Sequence, residues 1–116
     1  MPPDPRPTRR VRDTDLMRLM HGERTKECAI TGATDDLELH HVLPRGQRGD
    51  DVRPNLVWLR RDVHRRITAN DPVTLRLLGE HIRQHRTDTL SYLTFKLGPG
   101  VAEDWMRRRL YIEEEP

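Results

Sequence analysis

Apolar and polar residues alternate over Leu37-Glu38-Leu39 ahead of His40 and His41, which is the period of a half-buried strand, and Pro44 closes the run. A second short apolar run, Leu56-Val57-Trp58-Leu59, is bounded by Asn55 and Arg60 and predicts a partner strand. Two glycines and a proline between them read as a loop over 46–54. Residues 61–69 suit a helix that carries His64 near its start. The period then becomes three and four. Leu75, Leu78 and Ile82 predict a helix with Asp71 as N-cap and Pro72 at its first position. Leu90, Leu93 and Leu97 predict another, capped by Asp88 and stopped by Gly98-Pro99-Gly100, and Val101, Trp105, Met106 and Leu110 predict a last one. Ahead of the strands, Asp13 or Thr14 can cap a short helix with Leu16, Leu19 and Met20 on one face, ending near Gly22.

The expected class is α+β: a two-stranded antiparallel hairpin and its helix over 25–70, an N-terminal helix over 13–24, and a C-terminal helical extension over 71–112. Residues 1–12 hold four prolines and four arginines against one aspartate, a composition that does not pack and predicts a flexible basic arm. Residues 113–116 form an acidic tail that a polyanion would repel.

Composition refines this picture. At 116 residues the chain has the length of one domain, and 34% hydrophobic against 34% charged residues predicts a modest core. One cysteine excludes an intramolecular disulfide and fits a reducing compartment. No stretch approaches the roughly 20 apolar residues of a membrane span, and the first residues lack an apolar signal core. A soluble, cytoplasmic protein with no membrane partner is expected. Net charge is only +2. Seven arginines face three aspartates between His40 and Arg66, however, and phosphate is the partner that such a local excess suits.

That basic stretch also holds the chain's densest chemistry. His40 and His41 are adjacent, Asn55 follows fourteen residues after the second, and His64 nine residues beyond that. On a regular strand the paired histidines point to opposite faces and can do different work. A strand, loop, strand and helix in succession return His64 to the neighbourhood of His40. This spaced pattern, in its frame of two apolar strands, resembles the HNH endonucleases, whose centre is a ββα-metal finger. The resemblance covers about residues 25 to 70. It implies that His40 and His64 hold one divalent cation and that His41 is the general base activating water. It implies too that Asn55 ties the intervening loop and helps to orient that base. Arg45 stands where many relatives carry a basic residue, and Arg48, Arg61 and Arg65 complete the expected contacts to nucleic acid. The implied reaction is metal-dependent hydrolysis of DNA, presumed double-stranded, leaving 5′-phosphate and 3′-hydroxyl ends. Magnesium or manganese is the implied ion; two imidazoles also suit zinc, nickel or cobalt.

The chain departs from many such enzymes in lacking two Cys-x-x-Cys pairs. Cys28 alone remains of the first, and Arg60 and Val63 stand in place of the second, so a four-thiolate structural zinc is excluded. Two other readings stay open: a non-catalytic DNA-binding or scaffold module that keeps the same frame, and a small zinc-stabilised interaction domain using His40, His64 and a carboxylate or Cys28. His81 and His85 are four apart on a helix but lack a third ligand, and read as an exposed face.

Overall fold

The structure is a computed structural model and describes residues 9–112. It is mixed α and β, with five helices and one antiparallel hairpin among the described residues. Helix α1 spans Thr14–His21, strands β1 and β2 span Leu37–His41 and Leu56–Arg60, and α2 spans Arg61–Thr68. Then come α3 (Pro72–His85), α4 (Thr87–Leu97) and α5 (Pro99–Leu110). No described helix is long and apolar enough to cross a membrane.

The hairpin pairs Leu37 with Arg60 and His41 with Leu56, so His40 sits opposite Val57. Cross-strand partners share a face. Val57 and Leu59 therefore turn the side bearing Glu38 and His40 toward α2, and Val63 and Ile67 on α2 meet them in one core. Leu75, Leu78 and Ile82 of α3, Leu93 of α4, and Ala102, Met106 and Leu110 of α5 extend that core. Helices α3 and α5 cross closely at Gly79, where an added Cβ would lie 2.2 Å from the Leu110 carbonyl oxygen. Gly98 separates α4 from α5 at φ 88° and ψ 152°, a backbone region that only glycine adopts without strain.

Two of the three expected side-chain caps are present. The Asp13 carboxylate accepts from the Leu16 amide at 2.9 Å, and Asp71 accepts from the Thr74 amide at 3.0 Å with Pro72 at the first position. Asp88 is no cap. Helix α4 starts at Thr87, two residues earlier than such a cap would place it, and the carboxylate of Asp88 instead holds the Arg86 guanidinium at 2.9 Å. The apolar face of α1 is also shifted: Met20 is buried, whereas Leu19 is 62% exposed. With barely two turns, α1 docks through Met20 and leaves Leu19 in solvent. Val101 likewise faces outward, and Ala102 takes its place inside.

The arm expected over 1–12 ends in a fixed strap. Its first eight residues, and the acidic tail over 113–116, lie outside the described residues. From Arg9 onward the chain lies across residues 49–51. The Asp51 amide donates to the Val11 carbonyl at 2.9 Å, and the Val11 amide donates to Asp50 Oδ1 at 2.5 Å. Lys96 Nζ reaches both the Arg9 carbonyl at 2.9 Å and Asp50 Oδ2 at 3.0 Å. Backbone donors and a buried ion pair hold residues 9–11 against the loop.

Around Cys28, packing and hydrogen bonds hold the connector to the hairpin. Cys28 and Val63 are buried, and the Ala29 amide donates to the Trp58 carbonyl at 2.9 Å, stitching the connector to β2. Burial pushes the Cys28 thiol up, but hydrogen bonds from the Thr31 side chain and the Arg60 backbone draw it below its ordinary value. Arg60 itself pairs with Asp35 at 2.9 Å and Asp62 at 3.2 Å.

Candidate functional site

The strand end, the loop and the first turns of α2 bring the histidines together. The rings of His40 and His64 meet edge to face, with centroids 5.1 Å apart. His64 Nδ1 lies 3.1 Å from Glu38 Oε1, and Arg61 pairs with the same carboxylate at 3.8 Å. A carboxylate on one imidazole nitrogen fixes the orientation of the ring. Burial, then the charge interaction with His64 and Arg109, pushes the pKa of His40 down to about 3, so this ring is neutral at ordinary pH.

His41 has different partners. Its Nε2 lies 2.8 Å from Asp51 Oδ1. Asp51 is 4% exposed. Burial pushes its carboxyl up, yet the Asp13 amide, His41 and Arg10 together hold it below the usual carboxylate range. Ionised Asp51 therefore accepts from His41 Nε2–H, and Nδ1 is left as the basic nitrogen. Arg10 Nη2 reaches the same Asp51 oxygen at 2.5 Å while its Nε donates to the Gly49 carbonyl at 2.6 Å. Burial lowers the pKa of His41 further than Asp51 raises it, so this ring too is neutral near pH 7.

Asn55 is wholly buried and ties the loop to the strand. Its Oδ1 accepts from the Leu43 amide at 2.7 Å, and its Nδ2 donates to the carbonyls of Leu43 at 3.1 Å and Asp50 at 3.0 Å. The residue that holds Asp50 also fixes where Asp51 begins. Gly49 makes the turn tight enough: a Cβ there would lie 1.7 Å from the Leu43 carbonyl oxygen.

Beside the three imidazoles runs an open groove of about 480 Å³, floored by Leu39, Met17 and Pro44. Arg45 lines it, as sequence reasoning expects, whereas Arg48, Arg61 and Arg65 lie outside its wall. Arg48 sits in a left-handed turn at φ 65°, and Arg61 is engaged with Asp36 at 3.4 Å. Glu38, Arg10 and the role of Asp51 against His41 escape sequence reasoning, and the run Arg107-Arg108-Arg109, part of which could touch phosphate, does not say by itself that Arg109 is the one on this wall. Glu38 has a signal, since a polar residue two before His40 on one strand must share its face.

As a cation site the arrangement offers the imidazole nitrogens of His40 and His64, with a carboxylate fixing one ring. Among the described residues no three His, Cys, Asp or Glu side chains gather into a larger donor group. Two nitrogens next to an open groove leave room for water and anionic oxygen in the remaining positions, so these residues fit one divalent ion. No protein-family model, curated protein or solved structure matches the chain.

Proposed function

We propose that this chain is a metal-dependent endonuclease of the HNH kind, in which the hairpin and α2 form a ββα-metal centre that hydrolyses phosphodiester bonds of DNA. The observation that supports the reading best is the division of the imidazoles. His40 and His64 face each other at 5.1 Å, while His41 stands apart on a carboxylate. His40 and His64 would hold the cation, which supplies charge neutralisation at the phosphoryl oxygens and at the departing 3′ oxygen. His41 Nδ1 takes the proton of the attacking water. Asp51 holds the ring in that tautomer and stabilises the imidazolium that forms. Asn55 fixes the loop that carries Asp51. Arg45 attracts the backbone without reading bases. Magnesium or manganese is the proposed ion, and the proposed products carry 5′-phosphate and 3′-hydroxyl ends.

The test is nicking of supercoiled plasmid with manganese or magnesium, with ion affinity measured by calorimetry in parallel. His41→Ala should lose about 10²- to 10⁴-fold in rate and keep its affinity for the ion. His64→Ala should lose both. Undiminished nicking by His41→Ala removes that residue from the mechanism. A wild-type protein that binds duplex but nicks it with neither ion would be a DNA-binding module instead.

A further inference from the structure

The groove at the histidines has a charge pattern that the neighbouring clefts lack. Its wall carries Arg45 and Arg109, and the two carboxylates held against its imidazoles, Glu38 and Asp51, are each paired with a further arginine, Arg61 and Arg10. The cleft beside Trp58 includes Glu23 and Glu27, and the one beside Tyr111 includes Glu80. A cleft lined by one sign of charge concentrates the opposite ion. Arg109 reaches this wall from α5, far along the chain from the hairpin. Its guanidinium is held from behind, because Asn70 Oδ1 accepts from Nη1 and the Ile67 carbonyl from Nη2. Asn70 stands at φ 61° in the turn after α2, a conformation that asparagine tolerates better than most residues. A guanidinium has five N–H donors in one plane. Two are used among the described residues, and the side chain is already ordered by them before any anion arrives. Arg108, its neighbour, pairs with Asp104 and has an 80% exposed side chain.

We propose that Arg109 is a phosphate-contact residue which, with Arg45, seats a phosphodiester of duplex DNA against the His40 and His64 edge of the groove. The identity of the ligand rests on the nuclease reading, and the preference for an anion rests on the charges of the groove itself.

The test is affinity for a fluorescein-labelled duplex of arbitrary sequence, followed by anisotropy as salt is raised, with no divalent ion added. Loss of one phosphate contact flattens the slope of log K against log salt by about 0.9. Arg109→Gln should show that change and weaken binding several-fold, with Arg108→Gln matching wild type. A folded Arg109→Gln with the wild-type slope overturns the proposal, as does a wild-type chain that binds no duplex at low salt. Since losing the Asn70 tie can unfold the variant, wild-type protein is also treated with phenylglyoxal and Arg109 followed by peptide mass spectrometry. Duplex should slow its modification several-fold; equal rates with and without duplex count against the contact. The two readings fail separately. Nicking and salt slope both unchanged in Arg109→Gln sink the contact and spare the nuclease. Binding that depends on Arg109 without nicking under manganese or magnesium sinks the nuclease and leaves the contact standing.

Discussion

At the scale of single residues, the carboxylate of Asp51 decides what His41 can do. It lies ten positions from the histidine in sequence and makes contact only because Asn55 and Gly49 shape the loop between. Asp51→Asn keeps the shape but can present its amide to Nε2 and so favour the opposite tautomer. Plasmid nicking by that variant should fall about 10²-fold or more, with ion affinity unchanged; an unaltered rate would show that the tautomer is set elsewhere. Asn55→Ala removes three buried hydrogen bonds and strands the Leu43 amide, and should cost on the order of 3 kcal/mol in urea unfolding. A loss below the error of that measurement would mean that the loop finds other partners. The histidine and asparagine spacing was visible in the sequence because those residues sit on a short local frame. Arg10 and Arg109 were not, since Arg10 meets Asp51 across 41 positions and Arg109 meets Asn70 across 39. No local periodicity carries such contacts. In Arg107-Arg108-Arg109, moreover, sequence alone cannot tell which arginine turns inward.

At the scale of elements, local signals held wherever packing agreed with them. The alternation before His40, the apolar run after Asn55, and Asp71 followed by Pro72 each mark an element that is present. Asp88 and Leu19 misled for one reason. A cap or an apolar face is settled by what lies opposite, and there Arg86 and solvent win. The α3 and α5 contact had no sequence signal beyond a glycine inside a helical pattern. Gly79→Ala should drive a methyl group against the Leu110 carbonyl and destabilise the fold by roughly 2 kcal/mol, even though alanine is the better helix former. A denaturation midpoint at or above the wild-type value would mean that α5 can move away freely. Because Arg109 rides on α5, the same variant should also weaken duplex binding.

For the whole molecule, a buried polar junction joins segments far apart in the chain. Asp50 accepts from Tyr92 at 2.7 Å, from the Val11 amide and from Lys96, linking the strap, the loop and α4. Burial pushes the Asp50 carboxyl up, but these donors more than offset it and leave it below its ordinary value. Its contribution to stability is therefore complete above the unfolded value of about pH 4, and is lost as pH falls through the lower folded value. Thermal midpoints should hold from neutrality down to that point and then drop. Asp50→Asn should lower the neutral midpoint and flatten the acid limb; an acid limb as steep as that of wild type would assign the drop to other carboxylates. The strap and α5 also set an order in time. As the chain leaves the ribosome, the hairpin and α2 emerge well before α5, so a nascent chain displays its imidazoles before Arg109 can join the groove wall. Arrest-peptide force profiles should record a folding step as α5 clears the exit tunnel, and a single earlier step would mean that the site matures without α5.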